Sequence, residues 1–227
     1  MFDRLMTLPL FKGVTLQRMT DTVGKAKFHF LKFLPGQKFI KAGDDCTHLT
    51  FILSGSARVT IANSDSRFRV IQTLNGPDVI YPDYLFGRHT FYPCDVEAID
   101  AVNILQVSKK DYLNILKSDE IFMINYFNYL STNAQKTIDG VMSITFGEIE
   151  ERIALWIACL TQTGATDIVL AARQRDLCSV FGMQRATFNA GIQHMVDKGL
   201  IESFPNEIRI KDRAEVVRLL SGPMTED

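Results

Sequence analysis

The chain has 227 residues, 46% of them hydrophobic, and a net charge of −1. That length allows about two domains with ample core for both, and a balance so close to zero excludes avid, sequence-independent attachment to DNA. No apolar run approaches the roughly 20 residues needed to cross a bilayer, and the N-terminus lacks a basic flank leading into an apolar stretch, so neither membrane nor signal peptide is expected and the cytoplasm is the expected compartment.

Residues 1–27 read as helical, with Leu10, Phe11, Leu16, Met19 and Val23 forming a partial apolar stripe. From Phe28 to Val107 the texture changes to short β-branched and aromatic runs. They are separated by turn residues at Pro35-Gly36, Gly43-Asp44-Asp45, Ser54-Gly55, Asn63 to Ser66 and Asn75 to Asp78. The runs 38–40, 49–53, 57–61, 68–71, 96–99 and 103–107 are expected to be strands of a β sandwich or barrel. From Lys109 the period becomes helical. Met123, Phe127, Leu130, Ala134, Thr137, Val141 and Ile144 alternate spacings of four and three, a heptad seam over about three repeats. A two-stranded coiled coil in a symmetric homodimer buries such a seam; packing against the chain's own domain is the alternative. Gly140 beside the seam allows a close approach or marks a bend. Phe146-Gly147 is the expected hinge, followed by a helix over about 148–161 carrying Ile149, Ile153, Trp156 and Leu160.

The segment from Arg173 to Val196 reads as two short amphipathic helices broken at Gly182. Leu177, Val180 and Phe181 share a face at i, i+3, i+4, and Phe188, Ile192, Met195 and Val196 do so in the second helix. The opposite face of the second helix carries Gln184, Arg185, Asn189 and Gln193. A recognition helix meets base edges with its N-terminal residues, where Arg suits guanine and Asn or Gln suits adenine. Two runs around Phe204-Pro205-Asn206 then predict a hairpin. A helix-turn-helix followed by a β hairpin is a winged helix, so double-stranded DNA is the expected partner; a plain helical hairpin with Arg185 merely solvated is the alternative. From residue 147 onward there are nine Lys and Arg against twelve Asp and Glu. Binding is therefore expected to be weak without the correct sequence and steeply salt-dependent.

Cys46, Cys94, Cys159 and Cys178 are widely spaced, and His29, His48, His89 and His194 are scattered, with no CxxC, HxH or HExxH. Reduced structural thiols are expected, with no metal and no cofactor. No paired carboxylates or nucleophile-and-base arrangement stands out, so the chain does not read as an enzyme.

Taken in order, Pro35-Gly36 with Ile40, Ala42-Gly43, Phe51 to Gly55, Glu151 to Ala154 and the stretch from Arg173 to Ile201 resemble the family of the cyclic-AMP receptor protein and the fumarate-nitrate reduction regulator, over nearly the whole chain. The resemblance implies an α+β fold with a cyclic-nucleotide-binding-like β roll as effector domain (1–117), a long dimerisation helix and hinge (118–146), and a winged helix-turn-helix (147–227). It implies a homodimeric transcription regulator on a palindromic operator, with RNA polymerase as a further partner of activators. Arg185 would be the main base reader, assisted by Gln184 and Asn189, while Arg173, Thr187 and Arg209 would contact phosphates.

Departures from the family pattern are informative. Its nucleotide binders carry a Glu and an Arg in a short cassette; here Pro82 stands where Glu is expected, Tyr92 where Arg is expected, and Pro93 removes a backbone donor. A buried phosphate needs charge-assisted donors, so cyclic AMP is not the expected ligand. An unidentified small apolar or aromatic effector, or none, is expected instead. Tyr81, Tyr84, Phe86, Arg88 and Tyr92, with Thr137 from the dimer helix, would line its pocket; an ordinary aromatic core is the alternative. In the recognition helix, Ala186 and Ala190 replace an acidic residue and a second Arg of the family, so the operator should differ from the family consensus. A second class of function stays open: a constitutive dimeric interaction module whose β roll senses nothing.

Overall fold

The computed structural model describes residues 6–23, 26–143 and 147–220. The chain packs as two bodies, 1–59 with 74–134, and 60–73 with 135–227.

In the first body the expected N-terminal helix is shorter than the apolar stripe suggests. A 3-10 turn at Pro9–Phe11 precedes helix α1, Leu16–Val23, and Gly13, at φ 77°, lies between them in a conformation that no regular helix adopts. Leu10, Phe11 and Met19 are buried, but Leu16 is exposed. Four strands form one antiparallel sheet in the order β1 (Phe28–Phe33), β8 (Val102–Ser108), β3 (His48–Ser54), β6 (Asp78–Ile80). Strand β3 buries five successive residues, Leu49 to Leu53, which is why its sequence is a continuous apolar run rather than an alternating one. Phe51 lies opposite Leu105 on one side and Val79 on the other. Strands β2 (Lys38–Ile40), β7 (Cys94–Ala98) and the first half of β4 (Ser56–Ala62) pair in that order. Helix α2 (Lys109–Ser118) starts at Ser108, whose hydroxyl accepts from the Asp111 amide, a standard cap for an orphan N–H. It leads into the first part of helix α3 (Glu120–Ser143). The ring of Phe11 lies 5.4 Å from that of Phe51 and 5.7 Å from that of Phe122, joining turn, sheet and helix in one core.

The second body opens with the end of β4 and most of β5 (Arg69–Asn75), the two arms of a hairpin. It continues with the last residues of α3 and then helix α4 (Ile149–Leu160), which starts with a capping box between Glu148 and Glu151. Gly140 on α3 is buried; a Cβ there would lie 2.7 Å from the Cys159 Cβ. The close approach expected at this glycine is made to α4 of the same chain, where the Cys159 thiol donates to the Lys136 carbonyl at 2.8 Å. Strand β9 (Thr166–Ala171) pairs with β5 on one side and with β11 (Glu207–Asp212) on the other, and β11 pairs with β10 (Glu202–Phe204). Helices α5 (Gln174–Val180) and α6 (Arg185–Asp197) lie between β9 and β10 in sequence, and the short α7 (Arg213–Val217) ends the described chain.

Arg213 is 3% exposed. Its guanidinium donates to the Thr161 hydroxyl at 2.9 Å and to the Ala158 carbonyl at 3.0 Å. A cation is thereby placed on the C-terminal carbonyls of α4, where the helix dipole favours it.

Candidate nucleic-acid interface

Helices α5 and α6 meet at the tight turn expected around Gly182, whose φ is 60°. The Gly182 amide donates to the Ser179 carbonyl and that of Met183 to Cys178, the paired bonds that close a helix C-terminus. Leu177 and Phe181 are buried as expected, but Val180 is 45% exposed and Cys178 is buried in its place. In so short a helix the inward face is centred between Leu177, Cys178 and Phe181, and Val180 at the last position falls outside it.

On α6 the buried residues are Phe188, Gly191, Ile192 and Met195. Gly191 is forced by packing, since a Cβ there would overlap the Ile149 side chain of α4. The opposite face, with Gln184, Arg185, Ala186, Thr187, Asn189 and Gln193, is exposed. Gln184 caps α6 without a side-chain hydrogen bond, in keeping with its poor capping chemistry. His194 on the flank bonds Glu150 of α4 at 2.7 Å, and Gln193 donates to Asp197 at 2.8 Å.

The remaining cations divide into two sorts. Arg173, at the start of α5, is exposed. In the wing, Arg209 donates to Glu207 at 2.7 Å and sits 5.0 Å over the Phe204 ring, while Lys211 pairs with Glu202 at 2.7 Å. That pair raises the Lys211 pKa and lowers that of Glu202 through their shared hydrogen bond. The wing therefore neutralises its own positive charge.

The residues expected to line an effector pocket have diverse placements. Tyr81 adopts a left-handed conformation, φ 39°, which is rare for a bulky side chain, and its ring meets that of Tyr84 edge-on at 6.0 Å. Phe86 lies edge-on to Tyr126 at 5.8 Å and under the Lys109 ammonium at 5.1 Å. Tyr92 is buried and its hydroxyl donates to the His48 carbonyl at 3.1 Å, a bond into the sheet. Arg88 is exposed. Thr137 is exposed on the part of α3 that belongs to the second body. On the expected seam, Phe127, Ala134 and Val141 are exposed and Met123 and Leu130 half-buried, while Ile144 lies outside the described residues, as does Phe146 of the expected hinge. Exposed Ile124, Ile138 and Met142 broaden the apolar stripe beyond the heptad positions.

Sequence patterning missed two buried carboxyls. Asp83 is hydrogen-bonded to Asn133 and its pKa is raised by burial, while its Oδ1 is buried with no hydrogen-bond partner. Asp78 is pushed up to about 6 by burial. The only sign of either in the sequence is an acidic residue beside a proline, too common to single out. The cysteines are free, and burial pushes Cys94 up to about 12. Among the described residues no group of three His, Cys, Asp or Glu could hold a metal ion, and no helix is long and apolar enough to cross a membrane.

Comparison with known proteins agrees with this architecture. The family model of the cyclic nucleotide-binding domain matches residues 30–119, and that of the Crp-like helix-turn-helix domain matches 151–219. The chain is 21% identical over 184 residues to the cAMP-activated global transcriptional regulator Vfr of Pseudomonas aeruginosa, covering 78% of this chain and 86% of that protein. It is 20% identical to the cAMP-activated global transcriptional regulator CRP of Haemophilus influenzae, covering 77% and 80%. Among solved structures, the Thermus thermophilus catabolite activator protein aligns over 94% of this chain and all of its own, with a TM-score of 0.55 at 17% identity. With a β-roll domain, a long helix and a winged helix-turn-helix DNA-binding domain in that order, the chain belongs to the Crp/Fnr family of transcription regulators.

Proposed function

We propose that the protein is a homodimeric, sequence-specific transcription regulator that reads a palindromic operator with α6 and does not respond to cyclic AMP. The observation that carries the DNA reading is the polarity of α6. Phe188, Ile192 and Met195 are buried while Gln184, Arg185, Thr187 and Asn189 project outward together. Arg185 reads a base, Gln184 and Asn189 assist, and Arg173, Thr187 and Arg209 hold phosphates, with Arg209 exchanging Glu207 for phosphate on binding. The exposed apolar stripe on α3 supports dimerisation, because Ile138 and Val141, each more than 60% exposed, would otherwise face water. A two-fold dimer would offer two recognition helices to successive major grooves, about 34 Å apart.

The two curated relatives are described as cAMP-activated. Against that activity here stand Pro82, Tyr92 and Pro93 in the cassette, and the unpartnered Asp83 oxygen among Tyr81, Tyr84 and Tyr126. A buried acceptor in that place repels an anionic phosphate. Any effector would be another small molecule, relayed through the Phe146-Gly147 hinge, and RNA polymerase would be the partner of an activating form.

The test is selection of bound duplexes from a random pool, with and without cyclic AMP. A palindrome with half-sites one turn apart is expected, at an affinity that cyclic AMP leaves unchanged. Arg185→Ala should then cost about 1–3 kcal/mol and relax preference at one base pair per half-site; unchanged footprints in that variant would remove Arg185 from its role. The self-paired wing charges favour one second reading, a constitutive dimeric module that contacts protein. Binding that is flat with salt, or absent, would support it.

A further inference from the structure

Residues 60–73 lie far from the winged helix in sequence, yet they pack as part of its body. Three kinds of contact hold them there. Strand β5 pairs antiparallel with β9, with Arg69 opposite Ala171, Val70 opposite Leu170 and Ile71 opposite Val169. The side-chain carbonyl of Gln72, which is fully buried, accepts from the Gln162 amide just beyond α4 at 2.9 Å. Phe68, next to the hairpin turn, sets its ring 5.2 Å from that of Trp156 on α4.

The ring contact continues inward. Trp156 meets Phe181 edge-on at 5.2 Å, and Phe181 stacks on Phe188 of α6 at 6.1 Å. Phe181 is the capping residue of α5, three positions before Gln184 and four before Arg185. Four rings thus run without interruption from the hairpin to the hydrophobic face of the recognition helix. Close-packed interiors transmit displacement because they have little room to absorb it. Removing the outermost ring frees one face of Trp156, lets Phe181 follow, and shifts the turn that aims the first residues of α6. Bidentate readout of a base tolerates little misplacement. The two arms of the hairpin also begin and end in the β-roll body, at 56–59 and 74–75. The chain therefore passes between the bodies here as well as through α3.

We infer that Phe68 is a positioning residue for DNA reading: the hairpin 60–73 sets the aim of α6 through the ring series Phe68, Trp156, Phe181 and Phe188. This rests on the DNA-binding reading above. It assigns regulation of that site to a segment whose sequence belongs to the β roll.

The experiment uses the full-length chain and the duplex that the wild type selects from a random pool. Phe68→Leu keeps apolar bulk without the ring, Phe68→Tyr keeps the ring, and Phe68→Ala removes both. Affinity for the selected duplex and for a scrambled one is measured well below the unfolding midpoint, with the concentration of active protein titrated. Phe68→Leu and Phe68→Ala should lose between about twofold and thirtyfold in affinity for the selected duplex, with the scrambled duplex unaffected and Phe68→Tyr close to wild type. Trp156 is the sole tryptophan, so acrylamide quenching of its emission should rise in the same two variants and in them alone. A merely structural role would lower the melting temperature and leave the ratio of selected to scrambled affinity intact. If Phe68→Ala fails to fold, Phe68→Leu alone decides. A wild type that binds its duplex while Phe68→Leu binds and discriminates equally well overturns the inference and leaves the DNA reading standing. A wild type that selects no duplex overturns both.

Discussion

Asp78 gives a quantitative test of the first body. It sits on β6 opposite Ile52 of β3. Its carboxylate accepts from the adjacent Val79 amide at 2.7 Å, but burial outweighs that bond and raises its pKa from 3.8 to about 6. A folded-state pKa above the unfolded one means that the folded protein holds the proton more tightly. The contribution to stability is therefore whole below about pH 4, falls as pH rises through about 6, and becomes a constant penalty above about 7. About two pKa units at 1.36 kcal/mol each put that penalty near 3 kcal/mol. Asp78→Asn keeps the carbonyl acceptor for Val79 and removes the charge. Urea unfolding followed by far-ultraviolet circular dichroism, on wild type and variant from pH 4.5 to 8, isolates the effect, since all other titrations are common to both. With a slope of about 2 kcal/mol per molar urea, the variant's midpoint should lie up to about 1.5 M higher than wild type at pH 8 and about 0.5 M higher at pH 4.5, where roughly a third of the penalty is already in place. A variant no more stable than wild type at pH 8, or a gain of equal size at both ends of the range, would refute the reasoning.

Gly191→Ala forces a Cβ into Ile149 and should cost about 1–3 kcal/mol by overpacking; the double variant with Ile149→Ala should recover part of that, and a purely additive loss would contradict the contact. Arg213→Met removes the donors to Thr161 and Ala158 from a buried site and should destabilise the second body by about 1–3 kcal/mol, read from Trp156 emission in urea; an unchanged midpoint would show those bonds to be dispensable. Ile138→Glu places a charge in the middle of the exposed stripe on α3. On the proposed dimer it should raise the dissociation constant at least tenfold by sedimentation, about 1.4 kcal/mol or more; an unaffected dimer would move the interface elsewhere, and a monomeric wild type would refute the dimer.

The elements legible in the sequence are those whose side chains repeat. The helical period of Phe188, Ile192 and Met195 placed α6, and Pro205-Asn206 placed the wing turn between β10 and β11. Strand β3 was legible because Leu49 to Leu53 are apolar without a break. Strand β9 was not, since its core residues, Ile168 and Leu170, lie in a stretch too short for an alternating pattern to stand out. Thr137 follows from a strict heptad count, whereas Ile138 lies on the widest part of the exposed stripe, because Met123 and Leu130 are half covered within their own chain. Asp83 and Arg213 were illegible because burial of a lone polar group depends on what long-range folding brings to it. The partnership of 60–73 with the winged helix is of the same kind: Phe68 reads as an ordinary strand residue, and only the path of the chain carries it to Trp156.

The wing carries its own counterions. Arg209 and Lys211 each already hold a carboxylate, so on the proposed reading a phosphate has to displace Glu207 or Glu202 before the wing engages the duplex. The exposed Arg173 and Arg185 would then meet an arbitrary sequence without first parting such a pair. A regulator built this way would be poorly retained by the bulk of a chromosome. Occupancy of a cognate site would then follow the number of molecules made more than competition from the rest of the genome.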